Sequence, residues 1–79
     1  HHHPPTYDGK TDFREFRAIF EDCCLVNHWA PDQEVMGTWL RMCLRGSARS
    51  VLVSYKDSYD VLMERLEQHY GGDMTRHIY

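Results

Sequence analysis

No apolar run in this chain approaches the ~20 residues that a bilayer crossing requires, so no membrane span is expected. A basic excess is also missing. Lys and Arg number 9 against 12 Asp and Glu, for a formal net charge of −3. Phosphate neutralisation supplies most of the affinity of nucleic-acid binding domains, so nucleic acid is not the expected direct partner. Cysteine is scarce and odd in number: Cys23, Cys24 and Cys43, with no CxxC pair. All three fall on or beside apolar faces, where reduced cysteine behaves as a small hydrophobe. Core thiols in a reducing, cytoplasmic compartment are the reading, and no metal site is expected, since further ligands at suitable spacing are lacking.

Catalytic signatures are missing too. Gly71-Gly72 has no lysine-serine sequel, and Gly9-Lys10-Thr11 lacks the earlier glycine of a phosphate loop. There is no GxSxG and no histidine pair at metal spacing. The carboxylates are spread over predicted solvent faces. The chain therefore reads as a non-enzyme with no cofactor.

What remains is a soluble globular composition, 42% hydrophobic and 27% charged over 79 residues. His1 to His3 read as a purification-tag remnant, and residues 4–79 as a single domain. It is an all-α, compact bundle of four to five short helices behind an extended N-terminal lead-in. The lead-in, residues 4–11, holds two prolines and a glycine. Its one large apolar group, Tyr7, is expected to tack it onto the body. Such a lead-in also suits one edge of a peptide-binding groove.

The organising stretch is Pro31 to Leu44. Val35, Met36, Trp39, Leu40, Cys43 and Leu44 cover about 180° of a helix, wider than the ~100° of a one-sided stripe, so this helix should pack on both flanks. Pro31 suits the first helical position, Ala30 is a poor cap before it, and Gly46 is the expected left-handed stop. Ahead of it, Asp12 and Glu15 make a capping-box pattern for a helix from Asp12 to Val26. Its apolar side is Phe13, Phe16, Phe20, Cys23 and Cys24, widened by Ile19 and Val26. Trp29 should fold onto the bundle from the intervening turn, where His28 sits at the surface. A third helix is predicted from Ala48 to about Ser54, capped by Ser47, with Ala48, Val51, Leu52 and Tyr55 inward. The fourth runs from Tyr59 to Tyr70, capped by Asp57 or Ser58, with the stripe Tyr59, Leu62, Met63, Leu66 and Tyr70. Residues 73–79 read as the start of a further element of a longer chain.

Two surface features have a structural and a functional reading each. Leu25 projects away from the main stripe, either to be covered by the following turn or to touch another subunit. Arg41, Arg45 and Arg49 form either a solvated face whose stems cover apolar surface or a patch for a neighbour's carboxylates or a polyanion.

Several residues in order resemble a known family: Tyr7-Asp8-Gly9, then Phe13, Phe16 and Phe20, then Asn27-His28-Trp29-Ala30-Pro31. Leu44-Arg45-Gly46-Ser47-Ala48 follows, and later Tyr59, Leu62, Leu66 and Tyr70-Gly71. The pattern is similar to the N-terminal capsid lobe of Gag from gypsy-class LTR retrotransposons, shared by domesticated Arc-like host proteins. It spans residues 5 to 72, and Ala30 and Ser47 depart from it. The resemblance implies a structural lobe that self-associates with other capsid lobes into a virus-like shell. The alternative it implies is an adaptor lobe that holds short hydrophobic peptides in a groove involving Tyr7, Phe13 and Phe16.

Overall fold

A computed structural model describes residues 3–52 and 57–71. Among them are four helices and no strand: α1 (Phe13–Val26), α2 (Gln33–Cys43), α3 (Gly46–Arg49) and α4 (Tyr59–Tyr70). The all-α architecture anticipated from the apolar spacing is present. Tyr55, Lys56, Gly72 and the 73–79 segment lie outside the described residues.

α1 begins where its cap predicts. The Asp12 carboxylate accepts the Arg14 N–H at 3.0 Å, using one of the amides that the first turn leaves unpaired. Phe13, Phe16, Phe20 and Cys24 are buried. The stripe is narrower than expected, because Ile19 and Val26 stay 43% and 54% exposed. They sit on the solvent shoulder of the helix, where no other helix among the described residues covers them. Leu25 is 66% exposed, so the following turn does not cover it. That turn instead draws back toward the helix, with the Trp29 and Ala30 N–H groups both donating to the Cys24 carbonyl. The Trp29 ring then stacks on Trp39 at 4.2 Å, and both indoles are half-buried.

α2 starts later than Pro31. Asp32 is its cap, accepting the Glu34 and Val35 N–H groups at 3.0 and 3.1 Å. Ala30 and Pro31 belong to the turn, so the cap that looked poor is strong: a carboxylate at the positive helix end satisfies two amides at once. The helix stops at Cys43 because Leu44 is extended (φ −81°, ψ 138°) and bridges to the lead-in. Gly46 is left-handed (φ +53°) as expected. It opens α3, however, and does not terminate α2. α3 is a single turn shorter than the predicted helix. Ser47 does not cap it: its hydroxyl donates to the Asp8 carbonyl at 3.1 Å, and Arg45 occupies the cap position without a side-chain capping bond. Ala48 and Val51 are buried beneath it, and Leu52 is half-buried.

α4 matches the predicted span. Ser58 accepts the Val61 N–H, and Tyr59, Leu62, Met63 and Leu66 are buried. α4 lies against α2 across Gly37, where an added Cβ would stand 3.2 Å from the Tyr59 nitrogen. The missing side chain lets the start of α4 rest almost on the α2 backbone. At the solvent edge Arg17 joins α1 to α4, pairing with Glu21 at 3.0 Å and Glu67 at 2.8 Å. Arg65 joins α4 to its own lead-in through Asp57 at 2.7 Å.

The lead-in is integral to this core. Tyr7 is 1% exposed. Its N–H donates to the Cys43 carbonyl at 2.9 Å, and its carbonyl accepts the Arg45 N–H at 2.8 Å. Its ring lies 4.9 Å from Phe16, 5.6 Å from Phe13 and 5.4 Å from Tyr70. Truncating so buried an aromatic removes its transfer energy and leaves a cavity. Tyr7→Ala should therefore cost about 3–5 kcal/mol in urea denaturation, close to the whole stability of a domain this size. Tyr7→Phe forfeits only the 3.3 Å hydrogen bond to the Thr11 carbonyl and should cost about 1 kcal/mol.

Candidate functional site

The aromatic trio assigned to a peptide groove is packed within itself. Tyr7, Phe13 and Phe16 are all nearly inaccessible, and burial, reinforced by the neighbouring Tyr70, raises the Tyr7 phenol above its ordinary value. Beside them a shallow groove of about 240 Å³ runs along the lead-in, lined by Pro5, Thr6, Thr11, Asp12, Phe16 and Ile19 among others. Of the trio only Phe16 reaches it.

The three arginines cluster at the C-terminal end of α2, where unpaired helix carbonyls carry partial negative charge. Arg49 donates to the Arg41 carbonyl at 2.9 Å. Arg45 donates to the Met42 carbonyl and, at 3.0 Å, to that of Leu44. Arg41 reaches the Asp57 carbonyl at 3.3 Å and the Thr38 hydroxyl at 3.1 Å. Each guanidinium is therefore held by the fold, while its charge remains at the surface. Met42, 54% exposed, stands among them. It was missed in the sequence because it lies off the apolar stripe of α2.

Leu25 sits at the lip of a second groove, about 230 Å³, between α1 and the start of α2. Cys24, Ala30, Met36 and Tyr59 complete an apolar floor and wall, with Glu21 at the edge. The Glu21 carboxylate accepts from Arg17 at 3.0 Å and from the Tyr59 hydroxyl at 3.3 Å. Residues 21–36 carry four carboxylates, Glu21, Asp22, Asp32 and Glu34, and no Lys or Arg. Only pairing in space brings Tyr59 and Ala30 to this groove, so sequence periodicity could not find it. A third groove, lined by Arg17, Tyr59, Asp60, Met63, Glu64 and Glu67, follows the α1–α4 seam.

No group of three or more His, Cys, Asp or Glu among the described residues is placed to hold a metal ion. No helix among them is long and apolar enough to cross a membrane. Comparison with protein-family models, curated proteins and solved structures gave no match.

All three cysteines are free, with Cys24 and Cys43 buried and Cys23 partly accessible. Burial pushes the Cys24 and Cys43 thiols from 9.0 up to about 11. Thiolate is the reactive form, so a soluble maleimide should label Cys23 fast and the other two only at the rate of unfolding. The same shifts set an alkaline limit. Between pH 9.0 and about 11 the unfolded thiols have lost protons that the folded ones keep. The unfolded state binds fewer protons there, so stability falls with rising pH across that window and is unaffected by these groups below it. Urea midpoints measured at successive pH values check this, and Cys43→Ala should flatten the alkaline slope.

Proposed function

We propose that this domain is a structural association lobe of the Gag capsid type, working in a reducing, cytoplasmic setting through contacts with further copies of itself. The observation that carries the reading is Leu25, a large apolar side chain left 66% exposed at the lip of an apolar groove. A surface of that kind is suited to a protein partner. The order of residues from Tyr7 to Gly71 that resembles capsid lobes supports the same reading. The arginine donors are spent partly on helix carbonyls, which favours protein contact over a phosphate grip.

Single contacts of such lobes are weak and gain strength through multivalency. Sedimentation velocity from micromolar to millimolar chain should therefore show a concentration-dependent rise in mass. A strictly monomeric profile at every salt concentration would overturn the reading.

A second reading, a peptide-binding adaptor, is favoured by the groove along the lead-in. An extended hydrophobic peptide laid beside residues 5–7 would meet Phe16 and the exposed Ile19. In an NMR titration the amides of Thr6, Phe16 and Ile19 should shift together, and an unchanged spectrum at millimolar peptide removes this reading.

A further inference from the structure

We infer that a second copy of this chain seats its Met42 corner in the Leu25 groove, giving a head-to-tail contact. The inference rests on the self-association reading and names the surfaces that carry it. The groove is apolar inside and acidic outside. Cys24, Leu25, Ala30, Met36 and Tyr59 line it. Glu21 stands at its edge, and the exposed Asp22, Asp32, Glu34 and Asp60 belong to the segments that form it. Arg17, one turn from Glu21 on α1, is itself bound by Glu21 and Glu67.

The opposite end of α2 has the complementary character. Met42 is apolar and exposed, and Arg45 and Arg49 are anchored on the carbonyls of Met42 and Arg41. The anchoring fixes two positive charges around one unbranched, polarizable side chain, the kind that fills irregular apolar space. Met into groove and arginine onto the acidic edge satisfy both halves of the match, with the charges steering the approach.

A molecule cannot close this contact on itself. Met36 lines the groove, and Met42 lies roughly 9 Å further along the same helix. The two patches are also different, so each added copy leaves one of each kind open. Such heterologous contacts extend into rings or open chains, whereas a self-complementary patch stops at a dimer.

A charge exchange tests the pairing by sedimentation velocity at low salt. Arg45→Glu places a negative charge in the basic corner, and Asp22→Arg places a positive charge on the acidic edge of the groove. Asp22 is chosen because, unlike Glu21, it holds neither Arg17 nor Tyr59. Each variant alone should associate about tenfold more weakly than the unsubstituted chain, and an equimolar mixture should recover most of the loss. Leu25→Ser and Met42→Ser are the apolar arms. Both sites are exposed, so melting temperature should hold while association falls. The unsubstituted chain should form species beyond a dimer, and added salt should weaken them. Variants that associate as tightly as the unsubstituted chain, or a mixture no tighter than its components, would overturn this contact while leaving self-association standing. A chain that stays monomeric before any substitution removes the self-association reading, and this contact with it.

Discussion

The Tyr7 phenol ring and the two backbone hydrogen bonds beside it are the constraint on which the rest of the domain depends. The ring supplies the surface against which Phe13, Phe16 and Tyr70 close. The backbone bonds to Cys43 and Arg45 hold Leu44 extended. That extension ends α2, and the left-handed Gly46 then turns the chain into α3. The positions of Arg45 and Arg49 follow. They lie where they do because the extended lead-in, with no helix of its own, decides where the second helix stops.

With the core saturated, the distinguishing chemistry lies on the outside. α2 carries carboxylates at its start and guanidiniums at its end, an arrangement that suits its own dipole. The same arrangement gives the domain two poles of opposite charge, each with an apolar centre: Leu25 and its groove at one, Met42 at the other. Helix stability and surface polarity thus come from the same side chains, and neither required burying an ion pair.

Much of this was legible in the residues. The α4 stripe, the Asp12 cap and the anchoring role of Tyr7 follow from spacing and from turn chemistry. The helix ends were less legible. Ala30-Pro31 looked like the start of α2, yet Asp32, one residue on, binds two amides and outcompetes it. Ser47 has the chemistry of a cap, but a carbonyl of the lead-in claims its hydroxyl. Ile19 and Val26 were misjudged for one reason: periodicity says which side of a helix is apolar, not how much of that side a small bundle has partners to cover. The arginines were read as a solvated face or a patch, and neither reading anticipated that α2 carbonyls would hold Arg45 and Arg49 while Arg41 reaches the Asp57 carbonyl. The Leu25 groove depends on Tyr59 approaching residues far away in sequence, and no local pattern encodes that distance.

Gly37 links the hidden interior to the outer face. A Cβ there would meet the Tyr59 nitrogen at 3.2 Å, so a neighbour would have to give by a few tenths of an ångström. The part that would give is the beginning of α4, which supplies Tyr59 to one wall of the Leu25 groove. A single methyl group inserted between two helices would thereby reshape a cleft that it never touches.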